Sequence, residues 1–322
     1  MDNTTYSTTV QARATSDPTS NLVSPVETHD GETLNPSGRV PLEGEESGSK
    51  LVKCGKPVIF STLNARTLKK TGRIDELILC AKQNNIDIIS IQEHRHYHPD
   101  LNLKYQKFTD FPGYQLITSS ALKNQMNSTI GGVGFLLSPK ASSNLLHVEK
   151  ISDNIIIAEF SSNPKTTLIC CYSPHNTRPE SEVDDFYHKL RSVASDVPAH
   201  NLLLFLGDFN AKLGPTDALF TYNNLTNRNG EKMLDFMTEF ELVATNTRFM
   251  NSRNKLWTFE YPTGSKAQLD YILVRRKWIN SVRNCRAYSS SCSVLSDHRI
   301  VSANISQSPL FKETLSESNE GN

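Results

Sequence analysis

Between residues 51 and 307 the chain alternates short apolar runs with stretches whose apolar residues recur every three or four positions. Pro57-Val-Ile-Phe-Ser-Thr62 reads as a strand, and Ile74, Leu77, Ile78 and Ala81 then fall at helical spacing. Ile86-Asp-Ile-Ile-Ser-Ile91 is the next strand, so the opening predicts a β-α-β unit. Strand-like runs follow at Tyr114–Thr118, Val133–Leu137, Ile155–Phe160 and Thr167–Tyr172. Val183, Phe186, Tyr187, Leu190 and Val193 mark a second helix, and Leu202–Leu206 the strand after it. Asn229-Gly-Glu-Lys232 precedes a third helix carrying Met233, Phe236, Met237 and Phe240. Strand-like runs return near Thr258, at Leu269–Val274 and at Ile300–Ala303. The mixture predicts an α/β fold: a four-layer α/β/β/α sandwich of two packed mixed sheets with flanking helices.

The ends have another composition. Of residues 1–50, 26 are Ser, Thr, Asn, Gly or Pro, and Tyr6 is the one aromatic. Such a segment buries too little apolar area to offset its ordering entropy. Residues 1–50 are therefore expected to be a disordered tail, 51–307 one folded domain, and 308–322 a second disordered tail. Net charge is zero, but the tails hold 11 acidic and four basic residues, leaving 30 basic and 23 acidic in 51–307. A domain with that positive surplus suits a polyanionic partner.

The six cysteines form no C-x-x-C pair, and Cys170-Cys171 sit inside an apolar run, so buried free thiols are expected. The N-terminus has neither a basic nor an apolar leader region, and no apolar stretch approaches the roughly 20 residues of a membrane helix. The sequons at Asn3, Asn127, Asn224 and Asn304 are then chance matches. The expectation is an intracellular, soluble monomer, with the nucleus favoured over the cytoplasm.

Polar residues collect where the strands stop. The first run ends near Asn64, the second in Gln92-Glu93, and Leu168-Ile-Cys-Cys in Tyr172. Asn201-Leu-Leu-Leu-Phe-Leu206 runs into Gly207-Asp-Phe-Asn210, Asp270 lies within Gln268-Leu-Asp-Tyr, and Ser296-Asp-His298 precedes the last strand. One acid at a strand end is usually a cap or turn; six polar strand ends point to a shared site. Glu93, Asp297 and the Asn64 amide offer the hard oxygen ligands Mg²⁺ prefers. His298 with Asp270 makes an imidazole–carboxylate pair. Asp208 can orient and deprotonate water, while Asn210 and Tyr172 can donate hydrogen bonds to a phosphoryl oxygen. That set suits phosphoester hydrolysis.

Asn64, Gln92-Glu93, Tyr172-Ser-Pro174, Gly207-Asp-Phe-Asn210, Thr258, Leu269-Asp-Tyr-Ile272 and Ser296-Asp-His298 stand in an order that resembles the endonuclease/exonuclease/phosphatase family. Asn227-Arg-Asn-Gly-Glu-Lys232 and Leu256-Trp-Thr-Phe-Glu-Tyr261 look most similar to LINE-type retrotransposon endonuclease domains and to craniofacial development protein 2-like proteins. The resemblance covers essentially all of 51–307 and implies a sandwich nuclease using Mg²⁺ or Mn²⁺ on DNA. It places Glu93 and Asp297 at the metal, Asp208 at the attacking water, and Asn64, Tyr172 and Asn210 around the phosphate. Asp270 and His298 become a supporting pair, and Thr258 a supporting position behind them.

The sequence departs from that family at His94, where Thr usually follows the glutamate, and His94-Arg-His-Tyr-His98 suits a zinc or phosphate site or a solvent-facing loop. Gly131-Gly-Val-Gly-Phe135 reads as glycines entering a strand, because Leu136-Leu137 extend it. The loop between Thr258 and Asp270, with Tyr261, Lys266 and nearby Arg248, Arg253 and Lys255, is either a DNA-contacting hairpin, as the resemblance implies, or an ordinary hydrated one. A DNA endonuclease leaving a 3′-hydroxyl is the leading expectation. A phosphatase of phosphoinositides, nucleotides or RNA tails and an inactive nucleic-acid-binding derivative are the alternatives. Deleting residues 1–50 should leave the melting temperature and nuclease activity nearly unchanged; a loss of several degrees in a thermal melt would show the tail to be structural.

Overall fold

The structure, a computed structural model, describes residues 50–306 except 54, 101, 102, 112 and 290–293. Both expected tails, save Lys50, lie outside the described residues, as do Cys54 and Cys292. One sheet has seven strands, in the order Val282–Ala287 (β16), Val301–Ile305 (β17), Val58–Asn64 (β1), Ile88–Gln92 (β2), Val133–Leu137 (β7), Tyr114–Thr118 (β4) and Gln106–Phe111 (β3). The other has six: Leu242–Ala244 (β12), Asp270–Arg275 (β15), Leu202–Asp208 (β11), Thr166–Tyr172 (β10), Ile155–Phe160 (β9) and Leu145–Ser152 (β8). Each sheet is mixed, since β1–β2 and β10–β11 pair in parallel while their other neighbours are antiparallel. Two short hairpins project from them: Leu122–Lys123 (β5) with Thr129–Ile130 (β6), and Phe259–Glu260 (β13) with Lys266–Ala267 (β14).

Alternation along β11 explains why Leu202-Leu-Leu-Phe-Leu206 is apolar at every position. Leu202, Leu204 and Leu206 enter the core between the sheets with Phe60, Ile88, Phe135, Leu168 and Ile272. Leu203 and Phe205 face the other way, into a core closed by Val183, Phe186, Tyr187, Leu190, Met233 and Phe236. Those six side chains come from the helices Glu180–Asp196 (α2) and Arg228–Glu239 (α3). A strand covered on both faces has no solvent side on which to place polar residues. The outer face of the seven-stranded sheet packs Leu63, Ile89, Ile91 and Leu116 against Leu77, Ile78 and Ala81 of Arg73–Gln83 (α1). Helix, sheet, sheet, helix is the expected layering.

Most expected elements match to within two residues, and three of the middle strands match at both ends. The apolar pattern did not disclose β3, β8, β12, β16 or the β5–β6 hairpin. The first is Gln-Lys-Phe-Thr-Asp-Phe, and β8, Leu-Leu-His-Val-Glu-Lys-Ile-Ser, buries only Val148 among its eight positions, so neither carries a continuous apolar run.

Topology sets the site. The parallel pairs β1–β2 and β10–β11 align Asn64 with Gln92 and Tyr172 with Asp208, and antiparallel β15 begins at Asp270 opposite Asp208. Asp208 continues the inward-facing series of Leu202, Leu204 and Leu206. One residue earlier, a Cβ on Gly207 would run into the carbonyl oxygen of Cys171. Gly207→Ala should therefore cost about 3 kcal/mol or more of stability, the upper range for overpacking, read from urea unfolding. Wild-type stability for that variant would show that β10 and β11 part easily at the site.

Candidate active site

Asn64 joins the two sheets. Its Nδ2 donates to Glu93 Oε1 at 3.1 Å and to Asp208 Oδ2 at 3.1 Å, linking the end of β2 to the end of β11. The Tyr172 hydroxyl also donates to Glu93 Oε1, at 2.8 Å, and Arg95 Nη2 lies 2.6 Å from Glu93 Oε2. Asp208 Oδ1 accepts the backbone N–H of Asn210 at 2.9 Å. Asn210 in turn donates its amide to the Ser173 carbonyl, also at 2.9 Å. His298 Nδ1 donates to the Asp270 carboxylate at 3.0 Å, and its Nε2 stands 3.8 Å from Asp208 Oδ2. Thr258 Oγ1 accepts the backbone N–H groups of Leu269 and Asp270, fixing the start of β15. Glu93, Asn64, Asp208, Asp270 and His298 thus form one polar chain, and all but the half-buried Glu93 are buried.

Asp297 joins this chain indirectly. Its Oδ2 is 3.2 Å from Arg66 Nη1, and the Arg66 backbone N–H donates to Asn64 Oδ1. Ser296 Oγ donates to the Asn64 carbonyl at 2.6 Å and accepts the His298 N–H. Arg66, Glu93, Arg95 and Asn210 all have positive φ, between 47° and 62°. Such backbone costs roughly 1–3 kcal/mol per residue and persists where the surroundings over-determine it.

Burial shapes the charges. Desolvation pushes the Asp208 carboxyl up to about 7, helped by the nearby Asp270 charge and opposed by His298 and two hydrogen bonds. Burial would lower His298, but the Asp270 charge and hydrogen bond outweigh it and raise the imidazole to about 9. Burial likewise works to raise Glu93, yet hydrogen bonds from Arg95, Asn64 and Tyr172 hold it below the usual range. The result is an ionised carboxylate on one side and an imidazolium between two carboxylates on the other.

The donor set fits a hard divalent cation. Glu93 and Asp297 are carboxylates already facing guanidinium groups, and the Arg66 side chain is 62% exposed and free to leave. A second group, Asp208, Asp270 and His298, brings ligand atoms within 4.8 Å of one another. There the His298 proton and the Asp270 hydrogen bond favour acid–base use over ligation.

The sequence profile of the endonuclease/exonuclease/phosphatase family matches residues 54–298. The chain belongs to this family. It is similar to craniofacial development protein 2 of Bos taurus, 26% identical over 285 residues, or 85% of this chain and 45% of that protein. The Tragulus javanicus protein is 25% identical over 278 residues, 83% of this chain and again 45% of the relative. The chain thus spans a little under half the length of these relatives. Among solved structures, the endonuclease domain of TRAS1, a telomere-specific non-LTR retrotransposon, is 17% identical with a TM-score of 0.55, over 78% of this chain and 99% of that one. The AP endonuclease LMAP of Leishmania major gives 0.60 at 14% identity, over 78% and 88%. The 3′ phosphatase NExo of Neisseria, bound to a product DNA hairpin, gives 0.58 at 18% identity, over 78% and 100%. These likenesses support the fold.

Three expectations need adjusting. The His94–His98 segment is not a solvent-facing loop: His94 and His98 are buried, and His96 and His98 pack against Phe108. Nor do the three rings form a zinc site, since among the described residues only Asp208, Asp270 and His298 meet the spacing of a metal cluster. The Tyr172 hydroxyl is committed to Glu93, so it orients that carboxylate before it can serve a phosphate. The glycine reading holds, with a reason: Gly131 and Gly132 have φ of 68° and 89°, and a Cβ on Gly132 would sit 2.6 Å from the His94 ring. Arg66 and Arg95 went unmarked in the sequence, though each follows a site residue by two positions.

Asp270→Asn removes the charge that holds the His298 proton. In the metal-free protein, the pair stabilises fully below the unfolded value near 6.5 and is lost as pH rises through about 9. An NMR titration of the variant should find the His298 pKa down toward or below 6.5. An unchanged value near 9 would assign the proton to Asp208 and Asp297 instead.

Proposed function

We propose that this chain hydrolyses phosphodiesters with a divalent metal, as a DNA endonuclease that leaves a 3′-hydroxyl. The observation that carries the reading is the hydrogen-bonded run from Glu93 through Asn64 to Asp208, with the His298–Asp270 pair against its far end. A water-directing carboxylate and a protonated donor thereby share one buried cluster. The positive surplus in 51–307, the DNA named with the Neisseria structure and the retrotransposon domain favour nucleic acid over a lipid headgroup.

Glu93 and Asp297, with the Asn64 amide oxygen, would hold Mg²⁺ or Mn²⁺, which when bound neutralises charge on the phosphate. Asp208 orients the attacking water, its Oδ1 pinned by the Asn210 N–H, and takes its proton. The value near 7 suits a base working at neutral pH. His298 aims its Nε2 side at the same space and donates to the phosphoryl oxygen as charge builds there. Asp270 fixes the tautomer through Nδ1 and keeps the imidazole charged. Asn210 spends one amide hydrogen on Ser173 and keeps the other for the phosphate. Arg95 and Arg66 can move from the carboxylates to substrate phosphates once a cation arrives.

Purified protein should convert supercoiled plasmid to open circles with Mg²⁺ and not with chelator, leaving ends that a polymerase extends. Phosphoinositide dephosphorylation with intact plasmid would overturn the substrate class. His298→Ala should slow nicking by on the order of 10²-fold or more, as for loss of one transition-state donor. Asp270→Asn should slow it too, and the double variant should lose far less than the product of the two, because the pair acts as a unit. Fully multiplicative losses would mean that His298 and Asp270 work separately.

A further inference from the structure

Beside Glu93 and Tyr172 a cleft of about 360 Å³ runs from the polar cluster toward the β5–β6 hairpin. That is within the roughly 300–1,000 Å³ of small-ligand pockets. Its outer wall is Leu122 and Ile130, a cross-strand pair 48% and 44% exposed. Its far wall is the segment Ser173–Arg178, whose Pro174 lines the cleft. The hairpin is held in place. Asn124 Oδ1 accepts the N–H groups of Met126 and Ser128, and the Arg95 N–H donates to the Gly131 carbonyl, tying the hairpin base to the segment after Glu93. Two adjacent, half-exposed aliphatic side chains over a cleft present a flat apolar surface to whatever enters it.

Charge selects the occupant. Away from the Arg95–Glu93 end, which serves the metal and the cleaved phosphate, Arg178 pairs with Glu182 at 2.9 Å and Asp153 with Lys150 at 2.7 Å. Two carboxylates therefore offset the two cations along the rest of the cleft. A headgroup bearing several phosphates would meet no surplus of positive charge there. A neutral base, with an apolar face and hydrogen-bonding edges, suits the Leu122–Ile130 wall. Since Glu93 and Tyr172 line the cleft and also belong to the polar cluster, whatever enters it is joined to the group being cleaved.

We infer that this cleft binds the base of one nucleotide flanking the scissile phosphate, seated against Leu122 and Ile130. The inference rests on the nuclease reading and deepens it, by giving the site a contact with substrate beyond the phosphate. It makes a flanking base, and not the backbone alone, part of what the protein recognises.

The test uses the full chain and oligonucleotides in which either nucleotide flanking the cleaved bond is replaced by a baseless tetrahydrofuran residue. At one of the two positions, removing the base should raise KM about tenfold, the equivalent of about 1.4 kcal/mol, with little change in kcat. In Leu122→Ala/Ile130→Ala the same removal should change KM less than twofold. Both side chains are half exposed, so thermal melting should confirm that the variant is folded. If neither missing base raises KM, or if the double variant keeps the full penalty, the base subsite is wrong and the nuclease reading stands. Failure to cleave any oligonucleotide, alongside Mg²⁺-dependent hydrolysis of bis(p-nitrophenyl) phosphate, would overturn both.

Discussion

The site depends on two hydrogen bonds from one amide. Asn64 sits at the end of a strand in one sheet and donates to carboxylates carried by both, Glu93 beside it and Asp208 across the sandwich. Two acids drawn from water toward each other repel unless something between them carries positive hydrogens. The Asn64 amide is neutral, so it satisfies both without forming a salt bridge that would compete with a cation. Around it the rest follows: Arg66 and Ser296 fasten the Asn64 carbonyl groups to the Asp297–His298 turn, Tyr172 donates to the same Glu93 oxygen as Asn64, and Arg95 holds the other.

The fold makes that arrangement available because both sheets bury both faces over most of their central strands. Apolar contacts in three layers of core hold the strands in register, while the strand ends, where the cores stop, are free to carry polar groups. The cost shows in the backbone, where Arg66, Glu93, Arg95 and Asn210, in or beside the network, all have positive φ. It shows also in Gly207, which lets β10 and β11 approach where Asp208 and Tyr172 must lie side by side.

Much of this could be read from the sequence, for a physical reason. Strands covered on two faces leave long apolar runs, and an Asp or Asn ending such a run is conspicuous; Asn64, Glu93, Asp208, Asp270 and His298 were visible that way. Edge strands left no such trace: β16 reads Val-Arg-Asn-Cys-Arg-Ala, half polar. The burial of His94 and His98 was equally hidden, because Phe108 and Gly132, which receive them, are distant in sequence and carry no histidine signal. Arg66 and Arg95 were missed since a basic residue two or three places past a strand reads as ordinary surface. Their significance is their reach back to Asp297 and Glu93.

The Asn64 bridge is open to a direct measurement. Asn64→Asp keeps the shape but exchanges the shared donor for a third acceptor between Glu93 and Asp208. Breaking a buried polar network with a like charge costs roughly 3–5 kcal/mol, or on the order of 10 °C in a domain of this size. Thermal melts of the metal-free variant at pH 8 should show that loss, and added Mg²⁺ should restore more of it than it adds to wild type. A variant that melts like wild type, with no extra response to Mg²⁺, would contradict the claim that Asn64 holds the two halves of the site together.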